Sequence, residues 1–98
     1  MEKVSSEHRQ KMIQRADLLK AIGNPLRLCI IEKLIHEGPT SVSDITSCMD
    51  ASQPAVSQHL RKLKDMGIVE SQKEENRIYY SCTREDIKKL IACLDLEV

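Results

Sequence analysis

The side chains best suited to making chemical contacts are concentrated in one stretch of the chain, residues 50–66. Between Ser52 and Lys64 this stretch holds three basic residues and no acidic one, and it also carries polar groups such as Ser57 and Gln58. Amide and guanidinium groups hydrogen-bond to the edges of nucleic acid bases, while cationic groups neutralise phosphates. The residue types therefore indicate contact with nucleic acid.

The same stretch is predicted to be a helix with two different faces. Ser52 can accept a hydrogen bond from a free amide of the first turn, and Pro54 sits where a missing N–H costs little. Because successive helical residues are rotated by about 100°, Val56, Leu60 and Leu63 fall on one side and can pack into a core. The residues that we expect to contact DNA occupy the rest of the helix: Gln53, Pro54, Ser57, Gln58, His59, Arg61, Lys62 and Lys64.

Two helices are predicted before this stretch. Ser5 or Ser6 can cap the first, which runs to about Ile22 because Gly23 ends it. Asn24 and Pro25 open the second, which stops at His36 or Glu37 before Gly38-Pro39. The apolar residues expected to pack are Met12, Ala16 and Leu19 in the first helix and Leu26, Ile30, Ile31, Leu34 and Ile35 in the second.

A short third helix, a hairpin and a last helix complete the prediction. Ser41 followed by Asp44 resembles a capping box for the third helix. Residues 68–73 and 77–82 alternate as two strands joined through residues 74–76. The last helix is predicted to begin at Thr83, with Asp86 at its third position and Ile87, Leu90, Ile91 and Leu94 as its apolar stripe.

A helix, a tight turn and a second helix with an exposed polar face form a helix-turn-helix, whose second member enters the major groove of DNA. The hairpin is then the wing, and Lys73, Asn76 and Arg77 at its tip are expected to contact the DNA backbone or the minor groove. Glu74 and Glu75 beside them reduce the local attraction. The predicted fold class is a mainly α winged helix-turn-helix with a β-hairpin, built as one domain over residues 1–98.

Composition limits the remaining choices. The 98 residues are 41% hydrophobic and only 2% aromatic, so the core is aliphatic and small, and long helices at both ends could complete it by dimerisation. The formal net charge is zero, but the acidic residues lie mostly outside residues 54–66. We expect a cytoplasmic protein, because no apolar run could span a membrane and Met1 to Ala16 is too charged for a signal peptide.

Three segments together resemble the ArsR/SmtB family of small winged-helix regulators. They are Leu18-Leu19-Lys20-Ala21-Ile22-Gly23-Asn24-Pro25-Leu26-Arg27-Leu28, Ser52-Gln53-Pro54-Ala55-Val56-Ser57-Gln58-His59-Leu60 and Leu63-Lys64-Asp65-Met66-Gly67-Ile68-Val69. The resemblance implies a homodimer joined through its first and last helices. It also implies binding to an inverted-repeat DNA operator, with release when an effector binds.

Two metal-sensing patterns of that family are not matched. Its arsenic and cadmium sensors carry Cys-Val-Cys where this chain has Ser41-Val42-Ser43, and serine hydroxyls are poor ligands for soft metals. Its zinc and nickel sensors carry Asp-x-His where this chain has Asp86-Ile87-Lys88, and an ammonium group repels a cation. We therefore expect neither of these metal sites and no bound cofactor.

The four cysteines leave the effector open. In the cytoplasm Cys29, Cys48, Cys82 and Cys93 are not expected to form a disulfide framework, and none belongs to a C-x-x-C pair. By resemblance to members that sense oxidants or reactive sulfur, Cys29 on the second helix and Cys93 on the last are candidate sensors. A soft-metal or arsenic(III) site using Cys29, Cys93 or Cys48 is an alternative, and so is a purely structural role for the cysteines.

An enzyme is the less favoured class, because no nucleophile and base pair, phosphate-binding glycine loop or histidine-carboxylate cluster is visible. The sequence predicts a dimeric transcriptional repressor that binds double-stranded DNA and responds to an unknown small effector. The alternative from another class is a winged helix that docks onto proteins without reading DNA.

Overall fold

The computed structural model describes residues 3–94, which form five helices and three short strands. The helices are α1 (Ser6–Ile22), α2 (Pro25–Glu37), α3 (Val42–Ser47), α4 (Gln53–Asp65) and α5 (Glu85–Leu94). The strands are β1 (Thr40–Ser41), β2 (Glu70–Glu74) and β3 (Arg77–Ser81). This mainly helical chain with a β-hairpin confirms the predicted winged helix-turn-helix fold class.

Side-chain caps determine where the first helices begin. At α1, the Ser5 hydroxyl accepts a hydrogen bond from the His8 amide at 3.1 Å. At α2, the Asn24 side-chain oxygen accepts from the amides of Leu26 and Arg27, at 3.0 and 3.2 Å. Because a cap depends on neighbouring residues alone, the predicted starts of α1 and α2 are correct within a residue.

The hydrophobic core lies between α2, α4 and the elements around them. Its fully buried side chains include Ile30, Ile31, Leu34, Ile45, Val56, Leu60, Leu63, Ile68 and Ile87. By contrast, α1 adds only Ala21 and Ile22 to the core, while Met12 and Leu19 are 38% and 55% exposed. The apolar stripe predicted on α1 therefore faces solvent in the single chain.

The sheet has three strands, in the order β1-β3-β2. The hairpin turn consists of Glu75 and Asn76, because Glu74 already pairs with Arg77. Strand β1 was not predicted: Thr40 pairs with Tyr80 and Ser41 with Tyr79, and two residues are too few to show an alternating pattern. This pairing connects the segment just before α3 to strand β3 of the hairpin.

Two predicted element starts are wrong. Ile68 and Val69 are core residues rather than the start of a strand, since α4 ends at Asp65 and is followed by a turn in which the Ile68 amide donates to the Leu63 carbonyl at 2.9 Å. Thr83 does not begin the last helix, because α5 starts at Glu85. The Thr83 hydroxyl instead donates to the Glu70 carboxylate at 2.8 Å.

None of the helices described in residues 3–94 combines the length and the apolar character needed to cross a membrane.

Candidate nucleic-acid interface

Helix α4 is anchored on one side and open on the other. The Ser52 hydroxyl accepts a hydrogen bond from the Ala55 amide at 3.3 Å, which satisfies one free donor of the first turn. Val56, Leu60 and Leu63 are fully buried. Since these three side chains fix the rotation of the helix, the residues on its remaining faces are held toward solvent.

The DNA-contacting residues predicted on α4 fall into two groups by exposure. Seven are exposed: Gln53, Pro54, Ser57, Gln58, Arg61, Lys62 and Lys64. His59 alone among the eight is half-buried. The exposed set combines amide, hydroxyl and cationic groups on one helix, so it can approach base edges and phosphates together.

A groove joins the beginning of α4 to the wing. Gln53 and Ser57 line it from α4, and Asn76 and Arg77 line it from the hairpin. The fold thus brings together four residues that the sequence predicted separately. Lys73, also predicted, is exposed on β2 but is not among the lining residues.

Four further side chains line this groove and were not predicted as contacts, those of Ser41, Val42, Ser43 and Ile78. Ser43 extends from α3, and its hydroxyl lies 3.3 Å from the hydroxyl of Ser41. Val42 and Ile78 add apolar surface, and Ile78 is 47% exposed. The pairing of β1 with β3 brings the beginning of α3 next to the hairpin. These groove residues could therefore not be predicted without knowing how the two strands pair.

The local charge on the wing is mixed. Lys73 and Arg77 are exposed, and so are Glu74 and Glu75 next to them in sequence. Glu75 occupies the turn with a φ of 55°, a left-handed conformation that a non-glycine residue adopts at some cost. Of the two surfaces predicted to contact DNA, α4 therefore has the larger excess of basic over acidic residues.

Arg27 is another residue near the predicted interface that was not predicted from the sequence. Its Nε donates to Nδ1 of His59 at 2.9 Å, and its Nη1 donates to the Ala21 carbonyl oxygen at 2.9 Å. Arg27 is separated from His59 by 32 positions, so no local pattern could indicate this contact. The bond shows that His59 packs against α2 as well as lying on the recognition helix.

The cysteines differ in environment. Cys29, Cys48 and Cys93 are exposed, as an accessible thiol requires, whereas Cys82 is buried in the core and burial raises the pKa of its thiol. The Lys33 ammonium group donates a hydrogen bond to the Glu37 carboxylate at 2.9 Å, and this contact raises the pKa of Lys33. Lys33, the cation four positions after Cys29, is therefore paired with the carboxylate of Glu37.

At the positions that match the family's metal-binding residues, the side chains form other hydrogen bonds and ion pairs. Asp86 accepts two hydrogen bonds from Arg84, at 3.0 and 2.6 Å, and Lys88 lies 3.6 Å from Glu85. Ser41 caps α3 by accepting from the Asp44 amide at 3.2 Å. Within residues 3–94 there is no group of three or more histidine, cysteine or acidic side chains that could hold a metal ion.

Residues 24–71, which span α2 to the beginning of β2, match the family model for bacterial regulatory proteins of the arsR family. The chain is also 40% identical over 81 residues to the HTH-type transcriptional regulator YgaV of Escherichia coli K12. This alignment covers 83% of this chain and 82% of YgaV. The chain belongs to the arsR family. As a member of that family, it is a DNA-binding regulator of transcription.

Two solved structures have the same fold. The homodimeric winged helix-turn-helix DNA-binding domain of Mb0332 from Mycobacterium bovis, a possible ArsR-family regulator, aligns with a TM-score of 0.81 and 31% identity over 96% of this chain and 86% of that one. The transcriptional repressor BigR from Xylella fastidiosa aligns with a TM-score of 0.79 and 32% identity over 93% of each chain. These likenesses show that the chain has the winged helix-turn-helix fold, in which the order of elements makes α3 and α4 the predicted helix-turn-helix and β2–β3 the predicted wing.

Proposed function

We propose that this arsR-family chain is a homodimeric repressor that binds an inverted-repeat operator and releases it in response to an effector. The observation that carries the proposal is the exposed polar and cationic face of α4, which meets the wing at the groove lined by Gln53, Ser57, Asn76 and Arg77. Gln53, Ser57 and Gln58 are assigned to base edges. His59, Arg61, Lys62 and Lys64 are assigned to phosphates, and Lys73, Asn76 and Arg77 to the flanking backbone.

The dimer is supported by apolar surface that the single chain leaves exposed. Met12 and Leu19 on α1 and Leu94 on α5 are 38%, 55% and 59% exposed. Both helices are those that the family resemblance assigns to the interface. A twofold dimer would place two copies of α4 about one DNA turn apart, roughly 34 Å, which is the spacing of an inverted repeat.

Operator binding tests the assignment of α4. We expect the double variant Gln58→Ala and Arg61→Ala to lose specific binding to DNA from its own or a neighbouring promoter, because it removes one base-edge amide and one cation. The measurement is a gel shift with unrelated competitor DNA. The matched control is Lys3→Ala, an exposed cation outside the helices, which should bind as the unchanged protein does.

Unchanged gel shifts for the double variant would contradict the role of α4. If the unchanged protein shows no saturable binding to either promoter, the protein-docking class is favoured instead. Circular dichroism and sedimentation of both variants confirm that each remains a folded dimer, so that loss of binding is not loss of structure.

The proposed effector is a cysteine-reactive oxidant or sulfur species, and a soft metal or arsenic(III) is the alternative. Exposure of Cys29, Cys48 and Cys93 supports both, since thiolate reactivity and metal binding require access. Operator affinity is measured with reduced protein and then with peroxide, persulfide, arsenite, cadmium or zinc. The response should disappear in Cys29→Ser but remain in Cys82→Ser, whose thiol is buried; unchanged affinity under every treatment would contradict both effector classes.

A further inference from the structure

Arg27 connects three helices through two hydrogen bonds. Its Nη1 donates to the carbonyl oxygen of Ala21 in the last turn of α1, and its Nε donates to Nδ1 of His59 on α4, both at 2.9 Å. Carbonyl groups in the last turn of a helix have no partner within that helix. The guanidinium of Arg27 is therefore fixed from both sides, and it fixes the imidazole of His59.

The direction of the Arg27 bond determines where His59 carries its proton. A guanidinium group has only donors, so Nδ1 must accept with its lone pair, and the proton of a neutral ring must be on Nε2. His59 is half-buried. Nε2 of His59 has no hydrogen-bond partner among residues 3–94, so these residues leave its N–H available to a bound phosphate.

The surface beside this contact is basic. Lys20, Arg27 and Lys62 line one cleft together with a single carboxylate, that of Asp17. Lys62 follows His59 by three residues, so both lie on the same flank of α4. Because the ring of His59 is hydrogen-bonded to Arg27, a phosphate attracted to these cations would lie near that ring.

We propose that Arg27 is a positioning residue that holds His59 as the Nε2–H tautomer, and that His59 donates this N–H to a phosphate of the bound DNA. The inference rests on the proposed function, because it requires α4 to lie against DNA. A donor that is already held in place loses little conformational entropy when DNA binds. A ring whose Nδ1 accepts from Arg27 has a single N–H and no positive charge, so its contact with a phosphate adds affinity without releasing a counterion.

Nuclear magnetic resonance tests the tautomer without DNA. Long-range proton–nitrogen correlation spectra of the free protein distinguish the two ring nitrogens of each of the three histidines. The His59 signals are identified as those missing from His59→Asn. We expect an unprotonated Nδ1 and a protonated Nε2 at pH 7.5, and loss of this preference in Arg27→Met; a protonated Nδ1 in the unchanged protein overturns the proposal even if Arg27→Met fails to fold.

Two replacements of His59 separate its two nitrogens. The amide of glutamine extends about as far as Nε2, whereas that of asparagine extends only about as far as Nδ1. We expect His59→Gln to retain operator affinity within about threefold and His59→Asn to lose about tenfold, the usual effect of one hydrogen bond to a charged group. Equal affinity of both variants with the unchanged protein overturns the phosphate contact.

The salt dependence of binding distinguishes a neutral donor from a cation. Lys62→Ala should lower the slope of log affinity against log salt by about 0.9, while His59→Asn should leave the slope unchanged. A reduced slope for His59→Asn means a charged ring and overturns the tautomer. If the unchanged protein binds no promoter DNA, the proposed function and the phosphate contact fail together, while the tautomer is decided by the spectra alone.

Discussion

At the scale of single residues, Arg84 shows how one side chain can join segments that are distant in sequence. Its Nε and Nη2 donate to the two carboxylate oxygens of Asp86, at 3.0 and 2.6 Å, and its Nη1 donates to the Gly67 carbonyl at 3.3 Å. Gly67 lies two residues after the end of α4, and Asp86 lies in the first turn of α5. Arg84 therefore links α5 to the end of α4.

This contact makes a prediction about titration. The hydrogen bond from Arg84 lowers the pKa of Asp86, so the contact stabilises the fold above the ordinary titration range of a carboxyl group, and this contribution is lost as the pH falls through the folded-state pKa. The Asp86 side chain is 57% exposed, so solvent screening keeps the effect on stability small. We expect Arg84→Gln to raise the Asp86 titration midpoint in nuclear magnetic resonance spectra.

The control for this titration is Lys89→Gln, which removes an exposed cation from the same helix. It should leave the Asp86 midpoint within about 0.2 pH units, because the effect of Arg84 comes from direct hydrogen bonds rather than from distant charge. Equal shifts in the two variants would show that general electrostatics, not the Arg84 contact, sets the midpoint.

At the scale of elements, Gly67 determines the conformation of the turn between α4 and the wing. Its φ is 73°, and the Gly67 and Ile68 amides donate to the carbonyls of Lys64 and Leu63, both at 2.9 Å. A side chain added at Gly67 would meet nothing within 4 Å, so only the backbone conformation would oppose it. The left-handed conformation costs other residues roughly 1–2 kcal/mol.

We therefore expect Gly67→Ala to lower the free energy of unfolding by about 1 kcal/mol. The measurement is urea denaturation at a fixed protein concentration. Gly67→Asn is the matched comparison and should be destabilised less, because asparagine tolerates the left-handed region better than alanine. Equal stability of all three proteins would contradict this account of the turn.

The boundaries of the elements show how far local sequence reaches. The starts of α1, α2, α3 and α4 were predictable because each depends on a cap within a few residues of the helix. The start of α5 was not, because the hydroxyl of Thr83 is used by Glu70, thirteen residues away. Strand β1 was missed for the same physical reason, since only its partner β3 makes Thr40–Ser41 a strand.

At the scale of the whole molecule, α1 extends from the packed region. The radius of gyration is 15.4 Å, larger than the about 13 Å typical of a compact chain of 100 residues, and the longest dimension is 55 Å. Most of α1 is exposed, including Met12, Ile13 and Leu19. Such a helix is poorly stabilised by its own chain, which favours burial against a second copy.

The proposed dimer makes the last prediction. Leu19→Glu should shift the protein toward monomer in sedimentation velocity experiments and weaken operator binding by more than about tenfold, because two linked half-sites bind more tightly than one. Gln10→Glu adds the same carboxylate about 180° away on α1 and should remain dimeric. A Leu19→Glu protein that is still a dimer with unchanged affinity would contradict an interface on this face of α1.

The sequence by itself determined the helices, the hairpin, the buried stripe of α4 and its polar face, because periodicity and caps act over a few residues. The family resemblance of the sequence pointed to a DNA-binding regulator, and the family match bears this out. Only the tertiary structure brought Gln53 and Ser57 to the wing and placed Arg27 against His59. Those contacts join residues far apart in the chain, and their geometry depends on how the packed core orients one element against another.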